Sequence, residues 1–114
     1  MAIKPFLGSE KDLCDQMVQV LNMQGCHVWR TNAGLIPQQT NGRFRMVRVG
    51  QAGQSDIIGL RKKDGRFISI EVKKPQTKSR VSPDQKLWLD SMLSFNALAG
   101  VATTVEEALA IIRS

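Results

Sequence analysis

The sequence contains no long run of apolar residues and few cysteines. No segment approaches the roughly 20 consecutive apolar residues that a membrane-spanning helix requires. The segment from Met1 to Gly8 has neither a continuous apolar stretch nor a small-residue cleavage site, so we expect no signal peptide. Two cysteines, Cys14 and Cys26, are too few for a disulfide framework. These absences predict reduced thiols, a cytoplasmic location and no membrane partner.

Several kinds of functional site also lack their residues. His27 is the only histidine, and its spacing from Cys14 and Cys26 does not match zinc ligands. The segment Gly50–Gly53 is not followed by the Gly-Lys-Ser/Thr of a phosphate-binding P-loop. No Ser-His-Asp arrangement is indicated. The 114 residues, 42% of them hydrophobic, fit one globular domain over residues 1–114 with a buried core.

Positive charge is concentrated in the middle of the chain. The net charge is +6, and residues 43–86 hold twelve of the sixteen Lys and Arg but only four of the ten acidic residues. This segment indicates a polyanionic partner, most often nucleic acid. The alternative is a basic surface that is only solvated. The predicted nucleic-acid contacts are Arg43, Arg45, Arg48, Ser55, Lys74, Lys78 and Arg80.

The apolar pattern predicts alternating helices and strands. Ser9 caps a helix from Glu10 to Gln24, which Gly25 ends. Residues 31–42 are rich in Asn, Gln, Thr and Gly and are predicted to be a loop. The other predictions are strands at Cys26–Arg30, Phe44–Val49, Ile57–Leu60, Phe67–Val72 and Ala97–Thr103, a loop at Gly50–Ser55, and helices at Pro83–Phe95 and Val105–Arg113. This order predicts an α/β sandwich, in which helices flank a central mixed β-sheet.

Two carboxylates and a lysine are predicted to converge beside one hairpin. If Asp64-Gly65 is a two-residue turn, Asp56 pairs with Lys73 and Glu71 lies diagonally at roughly 7–8 Å. Carboxylates are the hard oxygen ligands that Mg²⁺ prefers. A neighbouring lysine can orient or deprotonate an attacking water and offset charge on a phosphate. The alternative is a surface ion pair that stabilises the fold very little.

Two helical residues are further candidates for this site. Glu10 lies at the end of the apolar stripe of the first helix, where it can point over the sheet. It also fits an ordinary first-turn acid that complements the helix dipole. Gln85 lines up with Trp88 and Leu89, but it also fits the third position of a capping box with Ser82.

Three segments of the chain resemble the PD-(D/E)XK nuclease superfamily, and within it the virus-type replication-repair nuclease (VRR-NUC) domain. They are Gly53–Gly59, Ile70–Lys73 and Gln85–Leu89, and the resemblance covers nearly the whole chain. It implies a restriction-endonuclease-like fold. Ser55 replaces the superfamily's proline before the aspartate, a common variation that leaves Asp56 in place.

The resemblance implies a metal-dependent endodeoxyribonuclease that hydrolyses phosphodiester bonds with Mg²⁺, for which Mn²⁺ substitutes. Asp56, Glu71 and Glu10 would bind the metal, Lys73 would be the catalytic lysine, and Gln85 would complete the catalytic set. Small relatives from phages and related sources are similar to homodimeric Holliday-junction resolvases. Branched DNA and a second copy are therefore the expected partners, in a bacterium or a phage-infected cell. Alternatives are a non-catalytic DNA-binding module, a flap- or duplex-directed nuclease, and a sequence-specific restriction-type enzyme.

The helix from Pro83 to Phe95 is the predicted dimer surface. It carries more apolar residues than one buried stripe needs: Leu87, Trp88, Leu89, Met92, Leu93 and Phe95. Some of them should remain for a partner subunit. The alternative is that the whole helix is buried within its own domain.

Overall fold

The computed structural model describes residues 3–114. Met1 and Ala2, which belong to the predicted domain and its N-terminal segment, lie outside the described residues. The elements in chain order are α1 (Glu10–Met23), β1 (Cys26–Arg30), β2 (Gly34–Thr40), β3 (Arg43–Val49), β4 (Ile57–Arg61), β5 (Arg66–Val72), a short 3-10 helix (Pro75–Arg80), α2 (Pro83–Ser94), β6 (Leu98–Ala102) and α3 (Val105–Ile112).

Four strands form the central sheet in the order β1-β4-β5-β6. β4 pairs antiparallel with both β1 and β5, whereas β5 and β6 are parallel, so the sheet is mixed. The face that carries Ile68 and Ile70 joins the core with α1 and α3. Ser69 and Glu71 point to the opposite face, where side chains of α2 bind them. The predicted α/β sandwich of the restriction-endonuclease type is confirmed.

The first helix forms because its cap and its apolar spacing agree. Ser9 Oγ accepts a hydrogen bond from the backbone N–H of Asp12, and the Asp12 carboxylate accepts one from the N–H of Ser9. Leu13, Met17 and Leu21 form the buried stripe. The last helical residue is Met23, one residue earlier than predicted. This geometry places Glu10 in the first turn, close to the strand ends that form the site.

The prediction of a loop over residues 31–42 is wrong. β2 occupies Gly34–Thr40 and pairs antiparallel with β3 along its whole length. The two strands are joined at Asn41 and Gly42, whose φ angles are 52° and 74°. Positive φ at both central residues characterises a type I′ turn, for which Asn-Gly is the preferred pair. The turn chemistry therefore determines this hairpin despite the loop-like composition of the strand.

The predicted register of the hairpin between β4 and β5 is also wrong, by two residues. Arg61 pairs with Arg66 and Ile57 with Ile70, so the turn has four residues rather than two. The Asp64 carboxylate bends back to bind the Arg61 guanidinium, with one contact at 2.6 Å. Arg61 is held in turn by the backbone carbonyl of Ile112 at 2.7 Å. These bonds stabilise the wider turn.

The remaining predicted elements agree with the structure to within a few residues, and the 3-10 helix was not predicted. Both cysteines are buried and form no disulfide. Within residues 3–114, every helix is too short or too polar to cross a bilayer.

Candidate active site

Glu71 lies at the centre of the candidate site, near the end of β5. Its side chain is only 2% exposed. Oε1 accepts a hydrogen bond from Nε2 of Gln85 at 2.8 Å and lies 3.7 Å from Nζ of Lys73. Within residues 3–114, Oε2 accepts no hydrogen bond from a neighbouring donor. Burying such a group without a partner costs free energy, so the protein alone leaves this carboxylate incompletely stabilised.

The surroundings of Glu71 disfavour its negative charge. Burial, followed by the negative charge of Asp56, raises the pKa of Glu71 to about 9. A side-chain hydrogen bond between the Glu71 and Asp56 carboxyl groups also raises that pKa, Lys73 lowers it, and Glu10 raises it further. Two facing carboxylates thus share one nearby ammonium group, and the site is short of positive charge.

Asp56 is held directly opposite Glu71. It precedes β4, and the observed register extended by one residue places it across from Glu71 rather than from Lys73. Asp56 Oδ2 accepts a hydrogen bond from the backbone N–H of Val72 at 2.9 Å. The backbone carbonyl of Asp56 accepts another from the N–H of Thr31, also at 2.9 Å. The first bond fixes the Asp56 carboxylate against the end of β5, and the second fixes the Asp56 backbone next to the end of β1.

Gln85 forms the predicted capping box and also contacts Glu71, a contact that its sequence position did not specify. Its Oε1 accepts a hydrogen bond from the backbone N–H of Ser82 at 2.9 Å, which closes the capping box of α2. Its Nε2 donates to Glu71. One amide therefore starts the helix and orients the central carboxylate.

A contact that sequence reasoning missed holds α2 in this position. Gly53, with φ +73°, lies so close to α2 that a Cβ atom on it would be 2.2 Å from the backbone oxygen of Asp84. No side chain fits there. The glycine-rich loop before Asp56 thus packs on the first turn of α2, next to Gln85. The glycines were visible in the sequence, but the partner of Gly53 was not.

Glu10 lies at the edge of this site. It is half-buried and lines a cleft together with Asp56, Cys14 and Arg30. Within residues 3–114, no three His, Cys, Asp or Glu side chains are arranged as a ready-made metal site. Glu10 therefore shares the cleft with Asp56, but the predicted set of three carboxylates is not closed around one point.

The residues present nevertheless fit a divalent cation. The donor set is made of carboxylate oxygens, the ligands that Mg²⁺ and Mn²⁺ take. Oε2 of Glu71 is buried without a partner, and the like charge of Asp56 opposes that of Glu71. A cation at these oxygens would remove both unfavourable features.

The comparison with known families agrees with this geometry. A sequence model of the VRR-NUC domain matches residues 8–106, which include α1, the central sheet and α2. The chain belongs to the VRR-NUC domain family. No curated protein matches the sequence significantly. VRR-NUC domains are nucleases of the PD-(D/E)XK superfamily, so the chain has a nuclease domain and DNA is the substrate class it implies.

The predicted DNA contacts of this VRR-NUC domain fall into two groups around the site. Arg43, Arg45 and Arg48 are exposed on β3. Lys74, Lys78 and Arg80 lie in the segment after β5, where Nζ of Lys78 is 3.6 Å from the Glu107 carboxylate. Ser55 is an exception, because it is fully buried and its hydroxyl makes no hydrogen bond. The prediction that Ser55 contacts DNA is not supported; its side chain lies beneath the loop.

Proposed function

We propose that this VRR-NUC domain is a Mg²⁺-dependent endonuclease that cuts branched DNA, Holliday junctions in particular, as a homodimer. Asp56, Glu71 and Lys73 are its catalytic core, with Glu10 and Gln85 in support. The observation that carries the proposal is the buried Glu71 carboxylate, which faces Asp56 and keeps one oxygen without a partner. A purely structural ion pair does not require a second carboxylate at this position.

Each residue has a separate task in the proposed reaction. Asp56 and Glu71 would hold the divalent cation, with Glu10 beside them, and Mn²⁺ would occupy the same oxygens. When bound, the cation polarises the phosphate and lowers the pKa of water. Lys73, whose side chain is 12% exposed, orients the attacking water and offsets charge that develops on the phosphate. Gln85 keeps the Glu71 carboxylate in its orientation.

The second copy is supported by an apolar surface on the open half of the sheet. α2 packs on β5 and β6, whereas Trp29, Leu60 and Phe67 on the same face remain 48%, 39% and 40% exposed. Phe95, at the end of α2, is 78% exposed. It lies near the Phe67 end of β5, because the Arg66 side chain donates a hydrogen bond to the backbone carbonyl of Asn96 at 2.7 Å. We call Trp29, Leu60, Phe67 and Phe95 the open-face patch.

The open-face patch suits a self-complementary interface. Aromatic side chains bury about 150–250 Å² each when fully covered, so the three partly exposed aromatic members offer roughly 250–400 Å². Neighbouring side chains would supply the rest of the roughly 800 Å² per partner of a standard interface. The patch members are uncharged, which matters because each copy carries +6 and would repel another through its basic surfaces. Of the apolar residues of α2 predicted as the dimer surface, Leu87, Leu93 and Phe95 are exposed and Leu89 is buried.

One experiment tests the activity directly. The purified chain is incubated with Mg²⁺ and a panel of linear duplex, flap, splayed and four-way DNA substrates, with EDTA as the metal-free control. We expect the four-way substrate to be cut fastest, and Asp56→Ala, Glu71→Ala and Lys73→Ala each to reduce cleavage by about 100-fold or more. Binding without cleavage of any substrate would favour the alternative, a non-catalytic DNA-binding module.

A further inference from the structure

The hairpin of β2 and β3, which we call the hairpin arm (Gly34–Val49), has almost no contacts with the rest of the domain. Its strands pair only with each other, from Gly34 opposite Val49 to Thr40 opposite Arg43. All of its strand residues are exposed except Gly34 and Val47, which are half-buried. An isolated two-stranded hairpin is marginally stable in water, so the arm is expected to gain contacts from a partner.

Both ends of the hairpin arm are attached to the candidate active site. Before β2, the Thr31 hydroxyl donates a hydrogen bond to the backbone carbonyl of Ser55 at 2.9 Å. At the other end, Arg48 lines a cleft that also contains Asp56 and Gln85. The base of the arm therefore lies beside the carboxylates, and its tip extends about 15–20 Å away from them along β3.

The two faces of the hairpin arm differ in chemistry near its tip. Paired residues share a face, and successive pairs alternate. One face carries Arg43 opposite Thr40 and Arg45 opposite Gln38. Near the tip, the other face carries Phe44 opposite Gln39 and Met46 opposite Pro37, and Phe44 is 72% exposed. The tip of the arm thus presents two arginines on one side and two exposed apolar side chains, Phe44 and Met46, on the other.

The charge of this segment indicates a polyanion rather than a second copy of the chain. Residues 31–55 contain three arginines and no Asp or Glu. A second copy is itself positive at +6, so contact through this arm would bring like charges together. DNA supplies phosphates for the arginines. It also supplies base faces, which are uncovered where duplex arms separate at a branch.

We propose that the hairpin arm is the element that recognises the branch point of the DNA. Arg43 and Arg45 bind phosphates, while Phe44 stacks on a base pair or an unpaired base exposed at the branch. Apolar side chains inserted between bases and aromatic stacking on single strands are both general means of binding DNA. The inference rests on the proposed function, since it assigns the substrate preference of the same site.

The test measures binding apart from cleavage. Affinities for a four-way junction and for a linear duplex of the same sequence are measured in EDTA. The proteins compared are the wild type, Phe44→Ala, and the double variant Arg43→Gln/Arg45→Gln. We expect Phe44→Ala to lower the ratio of junction to duplex affinity by about 5- to 100-fold, the range of one lost stacking contact. The double variant should weaken binding to both DNAs and flatten the salt dependence.

A second readout detects stacking at the branch itself. A 2-aminopurine base placed at the branch point should change its fluorescence with the wild type but not with Phe44→Ala. Met23→Ala is the matched control, because Met23 is 74% exposed at the far end of α1 from Glu10. It should leave both affinities and the fluorescence change as in the wild type.

The outcomes separate this inference from the proposed function. An unchanged affinity ratio for Phe44→Ala overturns the role of the arm, even if the wild type cuts junctions. A loss of dimer mass in Phe44→Ala, with equal weakening on both DNAs, also overturns it and makes the arm a subunit contact. Conversely, a chain that cuts no DNA but loses its junction preference in Phe44→Ala refutes the nuclease proposal and keeps the branch-recognition role.

Discussion

A buried carboxylate that faces a second carboxylate is unfavourable for folding unless hydrogen bonds or a cation compensate for it. Glu71 receives one hydrogen bond from Gln85 and a loose ionic contact from Lys73 at 3.7 Å, but its second oxygen has none. Surface ion pairs of the ordinary kind do not have this arrangement. The free-energy cost of burying Glu71 here therefore indicates a residue that binds a ligand rather than one that stabilises the fold.

Replacing Glu71 with glutamine should separate stability from activity. In EDTA at pH 7, folding of the wild type requires Glu71 to take up a proton, because its pKa rises from 4.5 to about 9 in the folded state. Glu71→Gln removes this requirement and should raise Tm, by about 4–8 °C for each kcal/mol gained. Cleavage in Mg²⁺ should fall by about 100-fold or more, because a metal-ligand oxygen is replaced by an amide. Thermal unfolding with and without Mg²⁺ checks both effects. Glu106→Gln, an exposed acid on α3, is the control and should change neither.

A Tm of Glu71→Gln below that of the wild type in EDTA would contradict this explanation of the Glu71 environment. Wild-type cleavage rates in the variant would contradict the site assignment itself.

Binding should be separable from cutting at Asp56. The predicted phosphate contacts of the basic residues do not require the metal, and Asp56→Ala removes a negative charge from the candidate site. We expect this variant to bind DNA in EDTA at least as tightly as the wild type, although it does not cut. Affinity of both proteins should fall steeply between 50 and 200 mM salt, since each neutralised phosphate releases counterions. An affinity that does not respond to salt would contradict a phosphate-binding surface.

At the scale of single residues, strand alternation predicted the candidate site better than the turn did. The two-residue error in the β4–β5 register left Asp56 and Glu71 on the same face, because side chains alternate with a period of two. It changed only which residue faces Asp56. The DNA contact at Ser55 stays a prediction that the structure does not support, because its side chain is buried while its neighbour Asp56 lines the cleft. Sequence spacing predicts which face of the sheet a side chain points to, but it does not predict whether that side chain is buried.

At the scale of secondary structure elements, the site depends on how the loop before β4 meets α2. Gly53 gives the loop its close approach to Asp84, and the next helical residue, Gln85, holds Glu71. The orientation of the Glu71 carboxylate therefore depends on the backbone contact between Gly53 and Asp84, which the charge pattern of the sequence does not indicate.

Gly53→Ala should weaken catalysis through this contact. The added methyl group meets the backbone of Asp84 at 2.2 Å and a φ of +73° disfavours any side chain, so the loop or α2 must shift. We expect kcat to fall by about 10- to 100-fold, since small misplacements of catalytic groups have effects of this size. DNA affinity in EDTA should change little. Gly65→Ala, also at positive φ but with open space around it, is the matched control for backbone strain alone.

If Gly65→Ala lowers kcat as much as Gly53→Ala, general strain rather than the contact with α2 explains the loss. Gln85→Ala adds a check, because its effect should not sum with that of Gly53→Ala if both act on Glu71.

The helices were easier to predict from the sequence than the hairpin arm. Ser9 and Ser82 each begin a helix with a capping box, and these local signals fixed the starts of α1 and α2. For β2 the polar composition of residues 31–42 suggested a loop, whereas Asn41-Gly42 was the decisive signal. A strand that packs on nothing has no buried face, so it lacks the alternating apolar pattern by which strands are usually found.

At the scale of the whole molecule, the two functional surfaces differ in charge. The hairpin arm and the segment after β5 carry the basic residues near the site, whereas the open-face patch is uncharged. Under the proposed function, DNA and a second copy would therefore bind separate surfaces. A four-way junction needs two symmetric nicks, and one site of this type cuts one strand. A resolvase accordingly presents two sites related by a two-fold axis.

The last prediction concerns this assembly. We expect a homodimer by light scattering at micromolar concentration, and paired, near-symmetric cuts on an immobile four-way junction. Leu60→Glu places a negative charge at the centre of the open-face patch, where a two-fold axis brings it close to its own copy. This variant should be monomeric and should make single nicks in place of paired cuts, while its circular dichroism spectrum stays that of the wild type. Met23→Glu, on an exposed position outside the patch, should remain dimeric. A wild-type chain with a monomer mass that nicks flaps in preference to junctions would refute the resolvase proposal and leave the assignment as a nuclease, because that assignment depends on the family and not on the assembly.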